Sequence, residues 1–86
     1  FKTDAEAIAI ANDSDFGLSG AIWSNNTSRA EKLARKIETG GVFINGISAS
    51  DPRVPIGGIK QSGYGRELSH FGIREFCNAQ LIWRRD

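Results

Sequence analysis

Twice within its first 44 residues this chain places a helix-start signal ahead of a short apolar run, and that alternation constrains the fold more than any other feature. Thr3-Asp4-Ala5-Glu6 forms a capping box: the Thr3 hydroxyl is placed to accept from the Glu6 amide, and the Glu6 carboxylate can reach back. An alanine- and isoleucine-rich helix is expected from there to about Asn12. Asn12-Asp13-Ser14-Asp15 then breaks it, because short polar side chains compete for backbone groups and favour turns. Leu18 to Trp23 is apolar without strict alternation, the pattern of a strand buried on both faces.

The second unit repeats the logic. Ser28-Arg29-Ala30-Glu31 reads as another capping box, and Ala30, Leu33, Ala34 and Ile37 share one helical face. Gly40-Gly41 ends the helix and Val42-Phe43-Ile44 reads as a strand. Helix and strand in alternation predict an α/β layer with parallel strands. Two such units cannot cover both faces of a sheet, so the segment is expected to be the edge of a larger α/β domain.

After Asn45 the character changes. The stretch from Asn45 to Gly65 holds five of the ten glycines and both prolines, and unstructured loops of such length are uncommon and often functional. A helix is expected from Leu68 to about Cys77, with Ile73, Phe76 and Cys77 on one face. Ala79 to Trp83 resumes strand character. The predicted order is therefore helix-strand-helix-strand, long loop, helix and a terminal strand.

Composition narrows the class further. Eighty-six residues make one small domain at most, burying only about 60–65% of the surface of the unfolded chain. No apolar run approaches the ~20 residues that cross a bilayer. One cysteine rules out an intrachain disulfide, and no Cys/His cluster has zinc spacing. A net charge of +1 gives no case for nucleic acid. The sequence opens at Phe1 and contains no methionine, which suggests a segment of something larger.

Several residues invite chemistry and fail its tests. Pro55 to Glu67 is glycine-rich, yet a dinucleotide fingerprint needs three spaced glycines after a strand, and Leu68 stands at the third position. A phosphate-binding loop of the Walker type needs Gly-Lys-Ser/Thr, and Gln61 follows Lys60. The glycines are better read as allowing tight backbone turns. Cys77 has no cationic neighbour to stabilise a thiolate and reads as a buried structural cysteine. His70 has no partner at ligand or triad spacing and reads as a surface or capping residue. A terminal strand ending in Ile82 and Trp83 reads as an interface, since exposed sheet edges are seldom left open.

Taken together, Ala7 to Trp23, Gly40 to Asn45 and Gly57 to Glu67 resemble the C-terminal end of the aldehyde dehydrogenase superfamily, in the same order and spacing. Ser48-Ala49-Ser50-Asp51-Pro52-Arg53 and Glu67 to Asn78 look most like its succinate-semialdehyde branch. The resemblance implies a cytoplasmic NAD- or NADP-dependent enzyme in which a cysteine thiolate attacks an aldehyde and a glutamate activates water. It also implies that those groups and the main cofactor contacts lie upstream of Phe1, so that no catalytic, cofactor-binding or metal-binding residue is expected here. Residues 1–78 would complete the catalytic domain, and residues 79–86 would form the oligomerisation strand, pairing copies through 79–83. Ser50 matches a serine that holds the distal carboxylate of semialdehydes, and Ile56 stands where most members carry an aromatic residue beside the aldehyde. Asn78 stands where several members place an acid. Beside this reading stands a second one of another class: an independent α/β interaction module that associates through its terminal strand.

Overall fold

A computed structural model describes every residue from Phe1 to Asp86. Helix α1 spans Asp4–Asn12, and the Thr3 hydroxyl accepts from the Glu6 amide at 3.2 Å. The Glu6 carboxylate accepts from the Lys2 amide at 2.6 Å, so the second arm of the capping box lands one residue earlier than the standard pattern. Asp4 and Glu6 also place negative charge at the positive end of the helix dipole.

Strand β1 (Phe16–Gly17) and strand β2 (Ser19–Ile22) follow, then helix α2 (Thr27–Ala34) and strand β3 (Gly41–Ile44). β2 and β3 run parallel, in register from Ser19 opposite Gly41 to Ile22 opposite Ile44. The expected α/β layer is therefore present. Beyond the strand end, Asn45 prolongs the pairing with a side chain that imitates a peptide group. Its Oδ1 accepts from the Ser24 amide at 2.8 Å, and its Nδ2 donates to the Ser24 carbonyl at 2.9 Å.

Four details depart from the sequence reading. First, α2 is capped by Asn26, whose Oδ1 accepts from the Arg29 amide at 2.9 Å, rather than by Ser28. Asparagine caps as well as serine does, and the Ser24 hydroxyl accepting from the Asn26 amide at 3.0 Å fixes the turn before it. Second, β2 is not covered on both faces: its residues alternate between exposed and half-buried. Third, the glycine-rich stretch is not free loop. Strand β4 (Ile59–Lys60) pairs antiparallel with β1, and Ile56 forms an isolated bridge with Glu67. A two-residue strand is too short to show a period in sequence.

The fourth departure concerns the C-terminal end. Helix α3 spans Ser69–Glu75, shorter than expected at both ends. The chain enters it through the N-cap Leu68 at φ +64° and the first helical residue Ser69 at φ +52°, left-handed conformations that side-chain-bearing residues disfavour. Cys77 falls beyond the last turn and is exposed, its thiol donating to the Ile73 carbonyl at 3.4 Å. The buried cysteine expected from sequence is thus not found, because nothing in the chain packs against that face: Ile73 and Phe76 are exposed as well. Ala79 to Trp83 has no partner strand in the chain and carries neither helix nor strand.

Ala30, on the inner face of α2, is the one fully buried side chain; the other buried residues are Gly17, Gly58 and Gly72. The Cα radius of gyration is 16.9 Å, against about 12 Å for a compact domain of this length. The thin core and elongated outline match an edge of a larger α/β domain.

Candidate functional site

The segment singled out by the sequence, Ser48 to Ile56, leaves β3 after Asn45 and is pinned at three points. Asp51 starts a turn in which the Val54 amide donates to its carbonyl at 3.1 Å. The Ser69 amide donates to the Pro52 carbonyl at 3.0 Å, fastening the segment to the start of α3. Ile56 and Glu67 exchange both backbone bonds, at 3.0 and 2.8 Å. These contacts hold Ile56 in a fixed place and leave the stretch around Ser50 on the surface.

Ser50 is exposed, and its hydroxyl makes no hydrogen bond within the chain. It remains available to a ligand, and a hydroxyl can donate to a carboxylate. The nearby charges are already matched: Arg53 donates from Nε and its terminal nitrogen to the two Asp51 carboxylate oxygens, at 2.9 and 2.6 Å. Those bonds hold the Asp51 carboxyl below its ordinary range and raise Arg53 above its own. Arg53 is thus no unpaired receptor for an anion. The His70 ring lies tilted by 39° against Phe71, 4.4 Å between ring centres, and joins no charged partner.

Ile56 is half-buried and lines a shallow cavity of about 390 Å³ together with Leu18, Ser62, Tyr64, Arg66 and Glu75. Ser50 does not line this cavity, so the structure brings the two expected substrate residues onto one segment without bringing them into one pocket.

The glycine turn beside Ile56 is built for close backbone approach. A Cβ on Gly40 would collide with the Gly57 carbonyl, and one on Gly57 would lie 2.5 Å from the Gly65 carbonyl. The Arg66 guanidinium donates to the Gly65 and Gly58 carbonyls at 2.6 and 3.3 Å. Phosphate cradles present backbone amides to the ligand, whereas here Arg66 is occupied with carbonyl oxygens. No group of three or more His, Cys, Asp or Glu is placed to hold a metal ion, and no helix is long and apolar enough to cross a membrane.

Two polar side chains missed by the sequence reading organise this region. Asn12 bridges to the turn after α2, its Nδ2 donating to the Lys36 carbonyl and its Oδ1 accepting from the Glu38 amide, both at 2.8 Å. Lys60 reaches back to the end of α1, donating to the Asn12 carbonyl at 2.9 Å. Asn12 is visible in sequence as a helix breaker, but its partners lie more than twenty residues away and leave no local trace.

A parallel strand–helix–strand unit, closed by a tight glycine turn and exposing large apolar side chains, matches an edge of a larger α/β fold. A profile of the aldehyde dehydrogenase family matches residues 1–82. The chain belongs to that family. It is 63% identical over 78 residues to an aldehyde dehydrogenase of Paenarthrobacter nicotinovorans, covering 91% of this chain and 17% of that protein. It is 57% identical over 82 residues to a succinate semialdehyde dehydrogenase [NAD(P)+] of Escherichia coli (strain K12), covering 94% of this chain and 18% of that protein. The crystal structure of a succinic semialdehyde dehydrogenase from Streptococcus pyogenes in complex with NADP+ superposes with a TM-score of 0.94 at 50% identity. That match covers 100% of this chain and 19% of the other. The chain therefore spans less than a fifth of the length of the relatives it matches.

Proposed function

We propose that this chain is the C-terminal segment of an NAD- or NADP-dependent aldehyde dehydrogenase that oxidises succinate semialdehyde to its carboxylic acid. In this reading residues 1–78 complete the catalytic domain, the stretch from Ser48 to Ile56 lines the substrate entrance, and residues 79–86 serve assembly of identical subunits through 79–83. The thiol nucleophile, the general base and the main cofactor contacts belong to the remainder of the enzyme. The segment alone is then inactive, and Cys77 takes no part in the chemistry.

One observation carries the substrate assignment: Ser50 offers an unengaged hydroxyl on a pinned segment, in a chain 57% identical to a succinate semialdehyde dehydrogenase. Arg53 is matched by Asp51, whereas the Ser50 hydroxyl is free to meet a distal carboxylate. Ile56, fixed by Glu67, supplies an aliphatic wall further along the same segment.

The test is Ser50→Ala in the full-length enzyme, with succinate semialdehyde compared against an uncharged aliphatic aldehyde. Loss of a hydrogen bond to a charged group costs about 1.5–3 kcal/mol, so KM for the semialdehyde should rise roughly tenfold to a hundredfold. KM for the uncharged aldehyde should hardly move. Equal effects on the two aldehydes would make Ser50 a structural loop residue and remove the assignment.

A further inference from the structure

The Lys60 ammonium makes three polar contacts, two hydrogen bonds and one ion pair. It donates to the Asn12 carbonyl at 2.9 Å and to the Ser14 carbonyl at 3.1 Å, and it meets Glu38 Oε2 at 2.8 Å. The Asn12 carboxamide ties the same point to the Lys36 carbonyl and the Glu38 amide. One cation and one carboxamide thus fasten three pieces together: the end of α1, the turn after α2, and β4. The Lys60 side chain is 26% exposed, less than any other cation in the ion pairs of this chain, so its pair is the least screened by solvent.

The backbone of Lys60 is strained, at φ +53°. A side-chain-bearing residue keeps such a conformation only where its surroundings over-determine it. They do so here. Lys60 pairs with Phe16, the Gln61 amide donates to the Asp15 carbonyl at 2.9 Å, and the Gly17 amide donates to the Ser62 hydroxyl at 3.0 Å.

Ile56 stands four residues before this knot. Its own backbone is held by Glu67, and Gly57 and Gly58 between them pack with no room for a side chain. The strap from Ile56 to Lys60 therefore has two fixed ends and a tightly packed middle. A displacement at Lys60 must be passed to Ile56, because close-packed backbone cannot absorb it locally.

We infer that Lys60 is a positioning residue: its knot with Asn12 and Glu38 sets where Ile56 stands at the substrate entrance, and so tunes affinity for the aldehyde without touching the reacting atoms. This rests on the reading of Ser48 to Ile56 as entrance lining.

The test uses the full-length enzyme. Lys60→Met keeps the aliphatic stem and removes the three donors, whereas Lys60→Arg keeps the charge and several donors. Lys60→Met should raise KM for succinate semialdehyde about tenfold while kcat stays within about twofold. Lys60→Arg should recover most of that loss, and Glu38→Gln, which keeps an acceptor, should raise KM about threefold. An unchanged KM, a fall in kcat alone, or an arginine variant no better than methionine would overturn the assignment. Should Lys60→Met fail to fold, Glu38→Gln decides by itself: a raised KM supports the knot and an unmoved KM defeats it. A wild-type enzyme that ignores succinate semialdehyde but oxidises another aldehyde removes only the substrate reading, and the split between KM and kcat on that aldehyde then judges Lys60.

Discussion

Residues 3–67 and residues 78–86 use their atoms in opposite ways. In the first region two short sheets, two helices and a glycine turn meet through close backbone contacts, and polar side chains such as Asn12, Asn45 and Lys60 clamp elements distant in sequence. In the second, no backbone group bonds to another, and Leu81, Ile82 and Trp83 are each about four-fifths exposed. The first region holds its shape with a single fully buried side chain, Ala30. Its order comes from hydrogen bonding and backbone proximity more than from a side-chain core. The second region carries large apolar side chains that nothing in the chain covers, so their burial requires another surface.

The sharpest way to break that contrast is to thicken the glycine junction. Gly40→Ala drives a methyl group into the Gly57 carbonyl and to within 3.2 Å of the Leu18 carbonyl, and backbone on both sides cannot swing away. In the full-length enzyme this should cost about 3–5 kcal/mol of unfolding free energy in urea, through overpacking against fixed atoms. Gly46→Ala is the control: the nearest atom to its added methyl is 4.0 Å away, so the change should stay within about 0.5 kcal/mol. Equal costs at the two sites would show that the junction is not where the first region is held.

The tail offers the converse experiment. Ile82→Lys with Trp83→Lys should leave the unfolding of the first region unchanged to within about 0.5 kcal/mol, since neither residue packs on it. Association between copies should weaken by at least about a hundredfold, because each large apolar side chain contributes roughly 1.5–3 kcal/mol when buried. Sedimentation equilibrium reads both versions directly. If the unmodified protein sediments as a folded monomer at tens of micromolar, the tail is not a pairing surface between copies.

The same contrast explains what could be read from sequence. Local signals carried the elements whose causes are local. Thr3 and Glu6 announced α1, Ala30 to Ile37 announced the inner face of α2, and the two apolar runs announced a parallel pair. The cap of α2 was misplaced by two residues because Asn26 and Ser28 are both competent caps, and the turn before Asn26, fixed by Ser24, decided between them. The β1–β4 pair and the Lys60 knot were not legible. The strands are two residues long, and the partners lie more than twenty residues apart. Cys77 was misread for a related reason: an apolar face in sequence reports what a residue is suited to touch, not whether the partner belongs to the same chain. At the candidate site, resemblance alone points to Ile56 and Ser50, while the bridge to Glu67 that fixes Ile56 has no local signature.

The smallest expected effect lies at the rim of the first region, where Asp4 at the start of α1 meets Arg29 of α2. Arg29 donates to both carboxylate oxygens, with Nε at 3.1 Å from Oδ2, so the pair joins two helices across the end of β2. Hydrogen bonding from Arg29 holds the Asp4 carboxyl below its ordinary value of 3.8, and Asp4 raises the Arg29 guanidinium in turn. The sign follows from the folded carboxyl having the lower pKa. Its contribution is complete above the unfolded value and is lost as pH falls through the folded one. Raising of Arg29 matters only in strong alkali, where its contribution would be lost as pH rises through the folded value. Both side chains are substantially exposed, at 42% for Asp4 and 60% for Arg29, so solvent and salt screen the pair. Asp4→Asn should therefore lower the melting temperature slightly at neutral pH and low salt. The difference should shrink in high salt and disappear as pH falls through the lowered folded pKa, where the wild-type carboxyl is itself protonated. A difference that persists unchanged into acid would mean that Asp4 acts by packing or helix capping, and that even this outer contact belongs to the tightly joined region.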